Sequence, residues 1–286
     1  MNNVAKNLIA RQEKLNNKDC TPPNPVCVII DLDQLPDPQP STNGKWMETC
    51  LYTLTNADRA ILLSPVGWLN DNLIIAAQNL LKKQSSMPGF QDTCLGQSLG
   101  FEIQRGEFIQ ILHDGHGHWL MISGAITENG AQEIHVFDSM YPTVGTYTKK
   151  QIASIVSASK NIELKMMNVQ LQNGGCDCGL FAIAFATALA NAIEPGNCFF
   201  KQDLMRTHLY KCLMEEKMTM FPLKPRRTNR LVKSEDTIEL FCTCRMPEIP
   251  PMVECSKCNN WYHVSCVSVP QKALDNSSIE WICQNC

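Results

Sequence analysis

Residues 172–190 read QNGGCDCGLFAIAFATALA, and this stretch predicts how the surrounding chain folds. The run from Cys178 to Ala190 is apolar on every face, which is typical of a helix buried in a core. Because glycines precede it, we expect a turn and then Cys178 at the helix N-terminus, where the helix dipole favours a thiolate. Gly179 leaves the space above the sulfur open, and the Cys178 N–H can face a developing oxyanion. The sequence therefore predicts that Cys178 is a nucleophile.

A histidine and an acid that could serve this cysteine follow from the strand pattern. Residues 118–122 and 134–137 are typical of strands, and Asn129-Gly130 predicts the turn between them. His118 begins the first strand and Asp138 follows the second. A hairpin would therefore bring both side chains to the same end of the sheet. We expect His118 to act on the cysteine and Asp138 to orient His118.

Further helices complete the prediction of the fold class. Asn70 and Asp71 are good N-caps ahead of apolar residues that recur at helical spacing as far as Leu81. Residues 204–218 are another helix candidate. Helices beside a small sheet are typical of an α+β domain, which we expect to cover residues 46–221.

Length and composition limit the class of protein. At 286 residues the chain can hold one full-sized domain and a smaller module, and its net charge of -3 gives no reason to expect a nucleic-acid site. The longest uncharged run, 178–193, is shorter than the ~20 residues of a membrane span, and the N-terminus lacks a secretory pattern. We therefore expect the 15 cysteines to stay reduced, as metal ligands and catalytic thiols.

Four separated motifs resemble the SUMO/ubiquitin-like-specific cysteine protease family. They are, in chain order, Trp68-Leu69-Asn70-Asp71-Asn72, His118-Trp119, Asp138-Ser139-Met140 and Gln172…Asp177-Cys178-Gly179. The resemblance covers residues 46–221 and implies a papain-like/adenain-like cysteine protease fold. It also implies a triad of His118, Asp138 and Cys178, with the Gln172 side chain in the oxyanion hole and no cofactor in catalysis.

The same resemblance implies how the substrate is selected. Trp68, Asp71 and Trp119 match substrate-binding positions, and the two indoles would close over the Gly-Gly tail of a ubiquitin-like modifier. Glycine is the residue whose backbone can pass between two indole rings. The alternative is that both tryptophans belong to the core.

Three residues near the predicted triad have open roles. Cys176 is either inert or a resolving thiol that forms a reversible disulfide with its neighbour two residues on. His113 and His116 form a run with His118, which could hold a metal or could simply be solvated.

The C-terminal segment is a cysteine and histidine cluster. Its spacing predicts eight metal ligands: Cys242, Cys244, Cys255, Cys258, His263, Cys266, Cys283 and Cys286. Four Cys, one His and three Cys suffice for two tetrahedral zinc sites. With Trp281, this pattern resembles the PHD finger over residues 238–286. The resemblance implies a cross-brace, in which Cys242, Cys244, His263 and Cys266 bind one zinc ion and the other four cysteines bind the second.

PHD fingers commonly bind histone tails, some through an aromatic cage for methylated lysine. Phe241, Met252 and Trp261 match the positions of such a cage, where aromatic faces attract a quaternary ammonium. Residues 235–286 carry seven acidic against three basic side chains, which suits a basic tail. The alternative is that the two aromatic residues pack the small core. One departure from the cage pattern is that the acidic residue expected after the third ligand is missing.

The flanking segments suggest further roles. Residues 1–45 are typical of a flexible arm, in which Val28-Ile29-Ile30-Asp31-Leu32-Asp33 resembles a SUMO-interacting motif. A strand that docks onto the protease domain is the alternative for this island. Residues 222–237 are predicted to be a basic linker, either a nuclear import signal or a solvated connector.

These observations lead to one main hypothesis. The chain is expected to be a protease or isopeptidase that cleaves after the Gly-Gly of a ubiquitin-like modifier, with SUMO as the first candidate. Its finger would bind a histone tail in the nucleus, and a cytoplasmic pool is compatible with the sequence. The alternatives are a protease of the same fold that acts on ubiquitin or another modifier, and a catalytically idle protein that binds modified chromatin.

Overall fold

The computed structural model describes residues 44–127, 132–156, 161–225, 234–275 and 280–286. The strands are β1 Lys45–Glu48, β2 Thr53–Thr55, β3 Phe108–His113, β4 Trp119–Ile126, β5 Gln132–Phe137, β6 Ile162–Met166, β7 Ser234–Ile238, β8 Met252–Glu254 and β9 Trp261–His263. The helices are α1 Asn56–Leu63, α2 Asp71–Gln84, α3 Leu95–Ser98, α4 Thr146–Ile155, α5 Cys178–Ala190, α6 Gln202–Met214 and α7 Gln271–Asp275, with 3-10 turns at Pro195–Asn197 and Val264–Cys266. The SUMO-interacting motif predicted at 28–33 and the turn at Asn129-Gly130 lie outside the described residues.

A five-stranded sheet forms the centre of the larger region, in the order β3-β4-β5-β6-β7. Its pairs are antiparallel except for β5 with β6, which run parallel. The predicted hairpin is present, since β4 and β5 pair with Met121 opposite Phe137. The sheet is packed on both faces, and the predicted α+β class is confirmed.

The helix that contains the predicted nucleophile forms the core on one face of this sheet. From Cys178 to Leu189, every residue of α5 is buried. Its Phe181 and Phe185 pack with Phe137 of β5 and with Phe200. A helix without a polar face can be stable only when other elements enclose it, and here the sheet, α2 and α6 do so. On the opposite face, α4 contributes Ile152 and Ile155 to a second core.

Of the two residues predicted as N-caps of α2, Asn70 takes that position and Asp71 is the first residue of the helix. Asn70 adopts extended backbone angles, and its side-chain oxygen accepts a hydrogen bond of 3.2 Å from the Leu73 N–H. Asp58 accepts further bonds from the Asn70 and Asn72 amides, at 2.6 and 3.2 Å. These contacts hold the start of α2, and with it Trp68 and Asp71, against α1.

The helix predicted at 204–218 is displaced toward the N-terminus, to 202–214. The chain leaves the helix at Glu216, which has a positive φ of 47°. Met218 then turns into the core, where the Gln84 side chain bonds its backbone N–H and C=O. This tertiary contact ends the helix before the apolar pattern does.

The segment predicted as a linker, 222–237, is partly built into the fold. Leu223 forms a bridge with Phe200, and residues 234–238 form β7, which pairs along the whole of β6. Ile238 and Leu240 complete the second core, and Met246 of the C-terminal module packs against it. The strand is short and mostly polar, so its formation depends on the free edge of β6 rather than on its own sequence.

The C-terminal module contains the two-stranded sheet of β8 and β9 and a very small core. The buried residues of that core are Cys255, Tyr262, Trp281 and Cys283, and the ligand His263 is buried as well. No helix in the described part of the chain combines the length and the hydropathy that a bilayer span requires.

Candidate functional site

Cys178 is the first residue of α5 and is 2% exposed. Gly179 packs against Leu69, Ile74 and Trp119, and a Cβ atom at this position would lie 3.0 to 3.2 Å from their side chains. Glycine here therefore lets α5 approach α2 and β4 closely. The thiol lies where the sequence predicted it, at the N-terminus of a buried helix.

His118 and Asp138 meet at one end of the sheet, as the hairpin predicted. The His118 Nε2 atom lies 2.9 Å from both carboxylate oxygens of Asp138, and both side chains are buried. The carboxylate is itself held, because Asp138 Oδ1 accepts bonds from the Met140 and Tyr141 N–H groups at 2.7 and 2.9 Å. The Tyr141 ring packs edge-on against the imidazole, with 4.8 Å between the ring centroids.

The imidazole also bonds the cysteine. Burial by itself lowers the pKa of His118, but hydrogen bonds to Asp138 and Cys178 and the charges of both groups raise that pKa to about 9. Because Nε2 is engaged by Asp138, the Nδ1 atom is the one that faces the thiol. At neutral pH His118 is therefore protonated beside Cys178.

Gln172 lies next to the acid of this group. Its Oε1 accepts a bond of 2.8 Å from the Ser139 hydroxyl, and its backbone N–H donates to the Ser139 carbonyl at 2.9 Å. The Nε2 atom donates one of its two hydrogens to the Gly174 carbonyl at 2.8 Å. Among the described residues, the second hydrogen of this amide has no acceptor.

The predicted substrate-binding residues line one cavity of about 240 Å³. Trp68 is 56% exposed and lies on Gly117, where a Cβ atom would be 2.5 Å from its ring. Trp119 is 4% exposed, and its Nε1 donates to the Leu69 carbonyl at 2.8 Å. Asp71 lines the same cavity, as does the buried Thr93, whose hydroxyl has no hydrogen-bond partner among the described residues. Trp68 therefore forms a wall of the cavity that is open to solvent, and Trp119 forms its buried floor.

The residues with open roles have structural partners. His113 packs edge-on against Trp119, with ring centroids 4.6 Å apart, and the His116 N–H donates to Asp114 at 2.7 Å. Within the described ranges, neither histidine belongs to a cluster of possible metal ligands. The Cys176 thiol lies 3.5 Å from the Pro65 carbonyl and forms no disulfide.

Two contacts of the nucleophile loop were not foreseen from the sequence. Arg206 and Gln202, both on α6, bond the carboxylate of Asp177 at 2.6 Å each. The only sequence signal was an arginine on a predicted helix with a buried face, and that signal does not identify the partner.

The eight predicted metal ligands form the two predicted groups. These are Cys242, Cys244, His263 and Cys266, and Cys255, Cys258, Cys283 and Cys286, each with all its ligand atoms within 4.8 Å of one another. In the second group the Cys255–Cys286 and Cys258–Cys283 sulfur pairs are 3.9 Å apart. Tetrahedral zinc with bonds of about 2.3 Å would separate its sulfur ligands by about 3.8 Å. The donor sets and spacings therefore fit zinc.

The imidazole in the first group is oriented for this purpose. His263 Nδ1 lies 3.2 Å from the Cys244 sulfur, whereas Nε2 lies 2.9 Å from the Pro247 carbonyl. A backbone carbonyl on one ring nitrogen fixes the tautomer that leaves the other nitrogen free to bind metal.

The predicted cage residues are only partly together. Phe241 and Trp261 line one cavity of about 250 Å³, together with Arg245. Met252 lies outside this lining, on β8 opposite His263. Trp261 is 43% exposed, so its ring is available to a partner.

Comparison with solved structures finds similar folds for the larger region. One is the C-terminal Ulp1 protease domain in complex with Smt3, the yeast ortholog of SUMO, at 15% identity and a TM-score of 0.48, covering 63% of this chain and 90% of that one. Another is the Xanthomonas campestris effector protein XopD bound to ubiquitin, at 14% identity and a TM-score of 0.39, covering 52% of this chain and 93% of that one.

Comparison with curated proteins finds short matches. The Schizosaccharomyces pombe Lid2 complex component lid2 is 46% identical over 35 residues, 12% of this chain and 2% of that protein. The Gallus gallus lysine-specific demethylase 5B is 31% identical over 74 residues, 26% of this chain and 5% of that protein. The chain thus spans only a small fraction of these relatives. Residues 242–286 match the profile of the PHD-finger family. This segment, with its two complete ligand groups, is a PHD finger.

Proposed function

We propose that this chain is a cysteine protease that cleaves after the C-terminal Gly-Gly of a ubiquitin-like modifier, and that the modifier is SUMO. The observation that supports this most is the buried arrangement of His118 between Asp138 and Cys178, with the thiol at the N-terminus of α5. A thiol, a base and a group that orients the base are what acyl transfer through a cysteine requires.

The chemistry would proceed in two steps. The Cys178 thiolate attacks the carbonyl carbon of the terminal glycine, and the oxyanion accepts hydrogen bonds from the Cys178 N–H and the Gln172 amide. His118 gives its proton to the leaving amine, which departs as the C–N bond breaks. In the second step His118 takes a proton from water, whose oxygen attacks the thioester carbonyl. The C–S bond then breaks, which releases the modifier with a C-terminal carboxyl group and regenerates the Cys178 thiolate beside the protonated imidazole.

The cavity beside the triad supports selection of a narrow tail. Trp68 packs on Gly117, the residue before His118, and Trp119 is the residue after His118. Both indoles line the same cavity. A side chain on the substrate would collide with these rings, whereas Gly-Gly would not. Asp71 and the unpartnered Thr93 hydroxyl offer acceptors for the tail that leads to the glycines.

We propose that the finger binds two zinc ions through its eight ligands and reads a histone tail. Its acidic excess and its exposed Trp261 suit a basic peptide, and Phe241 and Trp261, which line one cavity, would face a methylated lysine. A nuclear location follows from such a partner. Calorimetric titration of the full chain with methylated and unmethylated histone-tail peptides tests this binding. The proposal is wrong if neither peptide gives a heat of binding.

Modifiers that carry an electrophile at the C-terminus test the proposed activity. SUMO should form a covalent adduct with the wild-type chain, and Cys178→Ala should form none, because a thioether needs that sulfur. Cys176→Ser is the matched control and should retain the adduct. Intact mass spectrometry measures all three.

The outcomes separate the alternatives. An adduct with ubiquitin but not with SUMO would make the chain a deubiquitinase. An adduct that persists in Cys178→Ala would contradict the nucleophile, and no adduct with any modifier would indicate an idle binding protein.

A further inference from the structure

The guanidinium of Arg206 joins the two loops that border the candidate active site. Its Nη2 atom donates to the Gly67 carbonyl at 2.7 Å and to Asp177 Oδ1 at 2.6 Å. Gly67 precedes Trp68, the open wall of the cavity, and Asp177 precedes Cys178. The ion pair is largely buried, with the side chains 12% and 13% exposed, so it is only weakly screened by solvent.

Other bonds fix the guanidinium in place. Nη1 lies 3.3 Å from the Ile61 and Leu62 carbonyls at the end of α1, and Nη2 lies 3.5 Å from the Cys176 carbonyl. Five N–H donors in a rigid plane suit this many acceptors, and a lysine ammonium could not reach them all.

The carboxylate that pairs with this guanidinium belongs to the N-cap residue of a helix but does not cap that helix. Asp177 occupies the N-cap of α5, where an aspartate normally accepts a bond from the N–H groups of the first helical turn. Its side chain forms no capping bond here. Both carboxylate oxygens turn instead to α6, one to Arg206 and the other to Gln202 at 2.6 Å.

The position of this carboxylate matters for the thiol. The uncapped N–H groups and the positive end of the helix dipole are the features that stabilise a thiolate and an oxyanion at Cys178. A carboxylate that capped the helix would occupy those donors and would add a negative charge beside the sulfur. Gln202 also bonds the Asn173 N–H and C=O, at 2.9 and 2.8 Å, so α6 holds the whole loop before the cysteine.

We propose that Arg206 is a positioning residue that withdraws the Asp177 carboxylate from the N-terminus of α5 and so keeps the helix donors available to Cys178. The inference rests on the proposed function for its biological meaning. Its physical content concerns only the reactivity of the thiol, so it can be tested without any modifier.

The test measures the rate at which iodoacetamide alkylates Cys178, by peptide mass spectrometry, as a function of pH. Arg206→Met should slow alkylation at neutral pH by about tenfold, because the released carboxylate competes for the helix donors. The pH of half-maximal rate should rise. Lys211→Met is the matched control, since Lys211 lies on the same helix in an exposed pair with Glu215, and it should leave the rate unchanged.

Rescue distinguishes this role from a merely structural one. Arg206→Met combined with Asp177→Ala should restore the rate to within about threefold of wild type, because neither the competing charge nor a capping oxygen remains. Asp177→Ala alone should alkylate at the wild-type rate, and it remains informative if Arg206→Met fails to fold. A double variant as slow as Arg206→Met, or a slow Asp177→Ala, would overturn the proposal.

The two hypotheses fail separately. If no modifier forms an adduct but the alkylation rates follow this pattern, the proposed substrate class is wrong and the role of Arg206 holds. If adducts form and Arg206→Met alkylates at the wild-type rate, the reverse is true.

Discussion

Different interactions stabilise the PHD finger and the larger region, which contains the proposed triad and is named the catalytic region after it. Around α5, aromatic and aliphatic side chains from the sheet and three helices enclose one continuous core. In the described part of the finger the hydrophobic core consists of only four residues, and two of them are metal ligands. A core of that size cannot offset the entropy of ordering the segment, so metal bonds must take its place.

The boundary between the two regions does not fall within the polar segment 222–237 that was predicted as a linker. Strand β7 belongs to the sheet of the catalytic region, and the finger begins directly after it. Lys149 of α4 pairs with Asp236 at 2.7 Å, and the Leu240 N–H donates to the Asn161 side chain at 3.3 Å. We therefore expect that the finger can unfold while the sheet stays folded. Removal of β7, in contrast, should lower the stability of the sheet.

The largest effect should come from removal of zinc. Chelation should unfold residues 242–286, because the metal supplies about 10–16 kcal/mol of folding free energy in modules of this kind. Hydrogen exchange should rise throughout the finger and stay slow in β3 to β6. Cys258→Ser should reproduce this pattern, and Cys94→Ser, which alters an exposed cysteine outside the ligand groups, should not. Slow exchange in the chelated finger would refute the idea that metal replaces a core.

A smaller effect should follow from damage to β7. Ile238→Ala should lower the free energy of unfolding of the catalytic region by roughly 2–5 kcal/mol, because it leaves a cavity in the second core. Thr237→Ala, at the exposed neighbouring position, should cost less than about 1 kcal/mol. Urea unfolding followed by tryptophan fluorescence measures both. Equal stability of the two variants would mean that β7 is only an appendage.

The smallest effect should come from the loss of one proton. It should appear in the pH profile of proteolysis. His118 has a pKa raised to about 9 by Asp138 and Cys178 against the effect of burial. Below that pH the imidazolium persists. Above it kcat/KM should fall about tenfold per pH unit as the proton that goes to the leaving amine is lost. Asp138→Asn removes a raising charge, so the alkaline limb should move to lower pH. An unmoved limb would show that another group is responsible.

Local patterns explain which parts of the molecule were predictable. Helix α5 has the predicted bounds because an apolar run on every face has no stable alternative to burial. The eight ligands group as predicted because their spacing along the chain already brings each pair together. His118 and Asp138 meet because an antiparallel hairpin leaves few registers that bury both strands.

Contacts between distant segments explain what was missed. The segment of β7 was predicted to be linker because four of its five residues are polar. It forms a strand because it pairs with the edge of β6. Helix α6 ends early because Gln84, far back in the sequence, captures Met218. Trp119 forms the buried floor of the cavity because its indole N–H donates to the carbonyl of Leu69, which is 50 residues away in the sequence.

The sequence by itself determined the chemistry that the chain can carry: a thiol at a helix N-terminus, its histidine and acid, and two sets of soft metal ligands. These follow from residue type and short-range spacing, which depend little on the rest of the fold. The tertiary structure decided the environment of that chemistry. It turned Asp177 away from the helix that it begins, set Trp68 on Gly117, and joined the finger to the sheet through β7. Each of these depends on which distant group is nearest in space, and that is a property of the packed chain.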